Sequence, residues 1–70
     1  MLNNIEAERA RNRMTKESLA NQLGVSAKTY YNWINEDTDI PSSALIEMSK
    51  IFGTKIDYLL EGAKARITVW

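Results

Sequence analysis

The chain has 70 residues, which allows one small domain at most. It contains no cysteine and no histidine, which excludes a disulfide framework, a thiolate nucleophile and the two commonest zinc-binding side chains. Nine basic residues balance nine acidic ones, so the strongly basic composition of many nucleic-acid-binding domains is also excluded. A core of this size barely offsets the conformational entropy of the chain, which favours a dimer.

The sequence shows no targeting or membrane-spanning segment. No apolar run approaches the roughly 18 residues needed to cross a bilayer, and the N-terminus lacks the apolar stretch of a secretory signal. We therefore expect a cytoplasmic protein, bacterial or phage-encoded and associated with the nucleoid. We expect no cofactor, no metal, no membrane partner and no small-molecule substrate.

The charges are unevenly distributed along the chain. Residues 1–35 carry five basic and three acidic side chains, residues 36–39 carry three acidic side chains alone, and the remainder carries four basic and three acidic ones. Any surface for a polyanion is therefore expected in the first half.

Two short helices are predicted first. Asn3 or Asn4 can cap a first helix, with Ile5 facing the core, and the run through Arg13 is rich in good helix formers. Thr15 can cap a second helix, with Glu17 favourably placed in its first turn. Its apolar face is formed by Leu19, Ala20 and Leu23, and Gly24 ends it in the left-handed conformation that a helix C-cap requires.

The third helix has the most informative periodicity. Ser26 can cap it only two residues after Gly24, and Tyr30, Trp33 and Ile34 share one face. The opposite face is formed by Ala27, Lys28, Tyr31, Asn32 and Asn35. One face is predicted to be buried, which leaves the other available to a partner.

Two more helices follow the polar segment around Pro41. Leu45, Met48 and Phe52 predict a fourth amphipathic helix that ends at Gly53. Thr54 and Asp57 have the spacing of a capping box for a short fifth helix. That helix contributes Ile56, Leu59 and Leu60 to the core and ends at Gly62. The predicted fold is all-α with five helices.

The window from Lys16 to Asn35 carries a helix-turn-helix pattern. Small or apolar residues occupy seven positions: Leu19, Ala20, Leu23, Gly24, Val25, Tyr30 and Trp33. Ala20 permits a close helix crossing, Gly24 makes the turn, Val25 fills the elbow, and the two aromatic residues anchor the third helix.

The segment TKESLANQLGVSAKTYYNWIN resembles the helix-turn-helix of the phage Cro and CI repressor family, also called the XRE family. IEAERARNRMT resembles the first helix of that family, and IPSSALIEMSKIFGTKIDYLLEG resembles its last two helices. The resemblance implies a five-helix, lambda repressor-like domain over residues 1–62 that places its third helix in the major groove of double-stranded DNA as a homodimer. We therefore expect a transcriptional repressor of phage or mobile-element type on a pseudo-palindromic operator, and no enzyme.

The resemblance also implies which side chains contact DNA. The base-reading positions of the family correspond to Ala27, Lys28 and Asn32, with Tyr31 beside them. Lys28 can donate to guanine, Asn32 can pair with adenine, Ala27 can contact a thymine methyl, and Tyr31 can contact a thymine methyl or a phosphate. The expected phosphate contacts are Lys16, Asn35, Ser26, Thr29 and Arg9.

Three positions depart from the family. The acidic segment NEDTD replaces a basic, glycine-containing turn, so either it points away from DNA or affinity is modest. Arg13 stands where glycine is common and is expected to adopt a positive φ. Ile34 replaces a glutamate that usually pairs with a first-helix arginine, so Arg9 is expected to lack its usual partner and to be freer for phosphate.

Other interpretations remain open. Tyr30 and Trp33 are expected in the core and not stacked on bases. The arginines at 9, 11 and 13 form either a phosphate-binding or a solvated helix face. The tail, residues 63–70, is either a frayed end or a dimerisation arm in which apolar and polar residues alternate. A protein-interaction module of the same fold is the alternative function, which the zero net charge and the acidic turn favour.

Overall fold

The computed structural model describes residues 1–63, and the predicted tail from Lys64 onward lies outside the described residues. Within that range the chain forms five helices and no strand. The helices are α1 (Asn3–Arg11), α2 (Lys16–Gln22), α3 (Ala27–Ile34), α4 (Ser42–Phe52) and α5 (Ile56–Leu59). The predicted order and number of helices are confirmed.

Every helix contributes to one hydrophobic core. The most completely buried side chains, with no exposed area, are those of Ile5, Leu19, Tyr30, Met48 and Leu59, one from each helix. The positions that helical periodicity assigned to the interior are therefore buried, with Leu23, Leu45, Ile56 and Leu60 half-buried at its margin. This common core holds α3 in a defined position.

The N-termini of α2 and α3 are both capped by a side chain. The Thr15 hydroxyl accepts a hydrogen bond from the Ser18 amide at 3.0 Å, and the Ser26 hydroxyl accepts one from the Thr29 amide at 3.2 Å. Both predicted caps are confirmed. They satisfy amide groups at the helix N-termini that have no partner within the helix.

The predicted caps of α1 and α5 are wrong. Leu2 precedes α1, and no side chain caps that helix. The Asn4 amide donates instead to the Tyr58 carbonyl oxygen at 2.8 Å, which ties α1 to α5. Lys55 precedes α5, which also lacks a side-chain cap, so Thr54 and Asp57 form no capping box. The buried Thr54 hydroxyl has no hydrogen-bond partner within residues 1–63.

Four helices end in the same type of turn. After α2, the Gly24 amide donates to the Asn21 carbonyl and the Val25 amide donates to the Ala20 carbonyl, which is the hydrogen-bond pattern of a Schellman motif. The residue at the turn has a positive φ in each case: 58° at Arg13, 76° at Gly24, 65° at Glu36 and 67° at Gly53. The expected positive φ of Arg13 is confirmed. Arg13 and Glu36 therefore adopt the same left-handed conformation as the glycines at the other two turns.

Arg13→Gly is expected to stabilise the domain. A non-glycine residue in the left-handed region costs about 1–2 kcal/mol, and the greater freedom of glycine in the unfolded chain offsets about 0.5–1 kcal/mol of that gain. We expect the midpoint of thermal unfolding, followed by circular dichroism, to rise by a few degrees.

Gly24→Ala is the matched control. A Cβ at Gly24 would meet no atom within 4 Å, so its effect is conformational alone, and we expect a loss of about 1 kcal/mol. A lower midpoint for Arg13→Gly would mean that backbone strain at residue 13 is outweighed by the contacts of the arginine side chain.

Candidate nucleic-acid interface

The packing of α2 against α3 forms the helix-turn-helix. Ala20 is 1% exposed at the crossing, where its small side chain permits close approach. Val25 is half-buried at the elbow, and its amide donates to the Ala20 carbonyl at 3.0 Å. The turn therefore sets the direction in which α3 leaves α2.

The inner face of α3 is anchored to the body of the domain. Tyr30, Trp33 and Ile34 are at most 5% exposed, so the prediction that both aromatic residues belong to the core is confirmed. The Leu2 amide donates to the Ile34 carbonyl at 2.9 Å, which fixes the end of the helix. A side chain on the other face of α3 is therefore held by a rigid element.

The outer face of α3 carries the residues predicted to read bases. Lys28, Tyr31 and Asn35 are exposed, whereas Ala27 and Asn32 are half-buried. Tyr31 is 40% exposed, whereas the other aromatic side chains of α3, Tyr30 and Trp33, are buried. The structure thus brings Ala27, Lys28, Tyr31 and Asn32 together on one accessible helix face.

Lys16 extends this face from the start of α2. Its ammonium nitrogen lies 5.4 Å from the centre of the Tyr31 ring, within the range of a cation–π contact. The same nitrogen lies 3.6 Å from Oε1 of Glu6. The predicted phosphate-binding lysine and a predicted base-reading residue are therefore neighbours.

Glu6, on α1, contacts side chains of α2 and α3 beside this face. No pattern in the sequence predicted this role for it. Its carboxylate accepts a hydrogen bond from the Tyr30 hydroxyl at 2.6 Å and pairs with the Arg9 guanidinium at 3.0 Å. With Lys16, these residues form what we call the Glu6 cluster: Glu6, Arg9, Lys16 and Tyr30. The spacing of Glu6 and Arg9, about one helical turn, could have predicted their ion pair. The contact of Glu6 with Tyr30 could not be predicted in this way, because the two residues are 24 positions apart.

The protonation states in the Glu6 cluster follow from its contacts. Burial by itself would raise the pKa of Glu6, but hydrogen bonds from Arg9 and Tyr30 and the charges of Arg9 and Lys16 outweigh it and lower the pKa below 4.5. Burial, and then the hydrogen bond to Glu6, raises the pKa of Tyr30. The cluster therefore contains an ionised carboxylate and a protonated phenol at neutral pH.

The expectation that Arg9 is freer for phosphate is wrong. Besides its pair with Glu6, its guanidinium donates to the Met14 carbonyl oxygen, and the side chain is only 17% exposed. Glu6 thus takes the place of the missing glutamate at position 34. Arg11 pairs with the buried Glu8 at 2.8 Å, while remaining 70% exposed.

The remaining predicted phosphate contacts lie near the ends of α3. The Ser26 and Thr29 hydroxyls are hydrogen-bonded to each other at 3.1 Å. Asn35 follows the last residue of α3 and is exposed. Ser26 and Asn35 therefore lie at opposite ends of the outer face.

An open groove beside this face was not foreseen. It has a volume of about 530 Å³ and runs along α2 to the elbow and the first residue of α3. Its polar lining includes Ser18 and Asn21, which are exposed on α2, and the acidic Glu17. Ser18 and Asn21 are uncharged hydrogen-bond donors, so the charge pattern of the sequence did not identify them as candidate contacts.

The acidic segment after α3 is folded back on the domain. The Glu36 carboxylate lies 2.9 Å from the amino group of Met1, and the Asp37 amide donates to the Asn32 carbonyl at 2.8 Å. Glu36 is only 10% exposed, whereas Asp37 and Asp39 are exposed. Of the three acidic side chains in residues 36–39, that of Glu36 is therefore largely removed from the surface.

These features define a small all-helical domain with a helix-turn-helix formed by α2 and α3. A family model described as "Helix-turn-helix" matches residues 5–59, which is most of the chain. The chain therefore belongs to the XRE family of helix-turn-helix proteins, which is Cro/CI-like, and it is a DNA-binding transcription regulator of that type. Searches of curated proteins and of solved structures gave no match.

The family is regulatory and not enzymatic. Among the described residues, no helix is long and apolar enough to span a bilayer, and no group of three acidic side chains could hold a metal ion.

Proposed function

We propose that the chain is a repressor of phage or mobile-element type that binds a pseudo-palindromic operator as a homodimer. The observation that carries this proposal is the outer face of α3, where Ala27, Lys28, Tyr31 and Asn32 are accessible on a helix anchored by its opposite face. In a dimer, two such helices would enter successive major grooves about 34 Å apart.

Each side chain on this face has a proposed contact. Lys28 donates to guanine O6 and N7, Asn32 pairs with adenine, and Ala27 contacts a thymine methyl. Tyr31 packs on a thymine methyl or donates to a phosphate. Base contacts of this kind supply specificity.

The proposed phosphate contacts position the domain without reading sequence. Lys16 and Asn35 bind phosphates at the two ends of the face, and Ser26 and Thr29 contribute hydroxyl groups. Arg9 belongs to the same set, and its guanidinium also binds Glu6 and the Met14 carbonyl.

A steep salt dependence of DNA binding is the expected signature. If each monomer neutralises about four phosphates, the slope of log affinity against log salt concentration is about −3.6 per monomer. An electrophoretic shift assay with the DNA flanking the gene, repeated over a salt series, measures it. A transcription assay on the same DNA tests repression, and sedimentation velocity tests the dimer. A shift that does not respond to salt would contradict binding through phosphates.

The second candidate is a protein-interaction module of the same fold that binds another regulator or a polymerase subunit. The balanced charge of the chain and the exposed Asp37 and Asp39 favour it. The two proposals differ in the shift assay. A module of this kind would give no shift with the flanking DNA and no enriched sequence from random DNA.

A further inference from the structure

Arg13 differs from the other cations near the start of the helix-turn-helix. Residues 9–16, RARNRMTK, carry four basic side chains and no acidic one, and no other stretch of eight residues in the chain carries as many. The other three cations each have an acidic partner on α1, in the pairs Arg9–Glu6, Lys16–Glu6 and Arg11–Glu8. Arg13 is exposed, and its side chain makes no ion pair or hydrogen bond within residues 1–63. An external anion can therefore bind this guanidinium without displacing a carboxylate of the domain.

The backbone of Arg13 has an unfavourable conformation. Its φ is 58°, in the left-handed region that glycine tolerates and most side chains disfavour. Glycine occupies the equivalent position after α2 and α4, at Gly24 and Gly53. Glu36, the other non-glycine residue with a positive φ in the described chain, binds the amino group of Met1. Arg13 has no such contact within residues 1–63, so its strain is a reason to assign its side chain a role in binding.

Arg13 lies next to the candidate nucleic-acid interface. It belongs to the turn between α1 and α2, three residues before Lys16, whose ammonium nitrogen lies over the Tyr31 ring. Three residues of chain span at most about 11 Å. The phosphates of one DNA strand follow one another about every 3.4 Å along the helix axis. A DNA strand that Lys16 contacts is therefore within reach of the Arg13 side chain.

We propose that the Arg13 guanidinium binds a DNA phosphate near the one bound by Lys16, an inference that rests on the proposed function. A guanidinium group can donate two parallel N–H···O bonds to one phosphate, so it suits this ligand better than an ammonium group does. The contact is additional to those implied by the family resemblance, because glycine is common in the family at the position of Arg13. It supplies affinity and fixes the register of the domain on DNA without reading bases.

Arg13→Asn tests the contact with little change to the turn, because asparagine adopts the left-handed conformation more readily than most residues. We expect a thermal midpoint that is not lowered, a roughly 3- to 10-fold lower affinity for the DNA flanking the gene, and a salt slope smaller by about 0.9. Arg13→Gly should bind as weakly although it is more stable than the parent chain. Arg13→Lys should keep the salt slope and lose part of the affinity.

Lys50→Gln is the matched control, since it removes a charge from an exposed position on α4. It should change neither the affinity nor the salt slope. An affinity and salt slope of Arg13→Asn equal to those of the parent chain would overturn the inference.

Neutral backbone linkages in the DNA identify the contact directly. Single phosphates of the flanking DNA are replaced one at a time by methylphosphonates, and the affinity of each duplex is measured for the parent chain and for Arg13→Asn. At one position in each half-site, the replacement should weaken binding of the parent chain but not of the variant, because both changes remove the same interaction. Effects that add at every position would overturn the inference.

The outcomes also distinguish this inference from the proposed function. A parent chain that gives no salt-dependent shift and no enriched sequence from random DNA would overturn both. A parent chain that binds DNA, together with Arg13 variants that bind equally well, would leave the proposed function in place and overturn the Arg13 contact alone.

Discussion

Asn32→Ala and Lys28→Ala are each expected to lower affinity for the preferred DNA roughly 5- to 150-fold and to relax the selected sequence at one position. A good bidentate base contact discriminates by about 1–3 kcal/mol, which corresponds to that range. Asn32→Ala should lose a preference for adenine and Lys28→Ala a preference for guanine. Selection of bound sequences from random DNA measures the preference, and a shift assay measures the affinity.

Two control variants separate base reading from general electrostatics. Lys50→Ala removes the same charge from an exposed position on α4 and should leave the selected sequence and the affinity nearly unchanged. Lys16→Ala should weaken binding to all sequences and reduce the salt slope by about 1, without altering the selected sequence. The assignment of the reading face is wrong if Lys28→Ala and Asn32→Ala both select the original sequence.

Glu6→Ala is expected to lower the stability of the domain substantially. It leaves the buried Tyr30 hydroxyl and the half-buried Arg9 guanidinium without the carboxylate that binds both. Loss of these contacts should cost about 2–3 kcal/mol. The total stability of a chain of this length is only roughly 4–10 kcal/mol. Chemical denaturation followed by circular dichroism measures the change.

The Glu6 cluster should also affect DNA binding through Lys16. Glu6 lies 3.6 Å from the Lys16 ammonium group, which lies over the Tyr31 ring. Tyr30→Phe removes the hydroxyl but leaves Glu6 and Lys16 in place, so it should lower stability by about 1–2 kcal/mol with little change in affinity. Glu6→Gln should change affinity more than Tyr30→Phe does. Equal effects of the two variants on affinity would contradict a positioning role for Glu6.

Glu6 also gives the domain a sensitivity to acid. Its pKa in the folded chain lies below the ordinary value of 4.5, so its contribution to stability is fully present above about pH 4.5 and is lost as the pH falls below it. Glu6→Gln should be less stable at neutral pH and should lose less of its remaining stability on acidification. Glu47→Gln, an exposed position on α4, is the control and should unfold with acid as the parent chain does.

Much of the helix-turn-helix could be predicted because its determinants are local. Thr15 and Ser26 cap their helices through amides three residues away, and Gly24 ends α2 through hydrogen bonds within six residues. Helical periodicity likewise separated the buried Tyr30 and Trp33 from the exposed Tyr31. An interaction that closes within one or two turns leaves a spacing that can be read directly.

The failed predictions have different causes. Asn4 binds the Tyr58 carbonyl, 54 residues away, and so does not cap α1; this contact exists only because α1 packs against α5. Arg9 was expected to be freer because position 34 holds isoleucine, yet Glu6, three residues before it on α1, binds it. The contact of Glu6 with Tyr30, 24 residues away, in turn requires that α1 and α3 pack together.

The sequence by itself determined the five helices, the turn between α2 and α3, and the face of α3 that remains accessible, since all three follow from helical period and turn chemistry. Tertiary structure alone decided how that face is supported. It placed Glu6 beside Lys16 and Tyr30 and turned Glu36 toward Met1. Side chains far apart in the chain meet only after the core has fixed the angles between helices, and no spacing along the sequence encodes those angles directly.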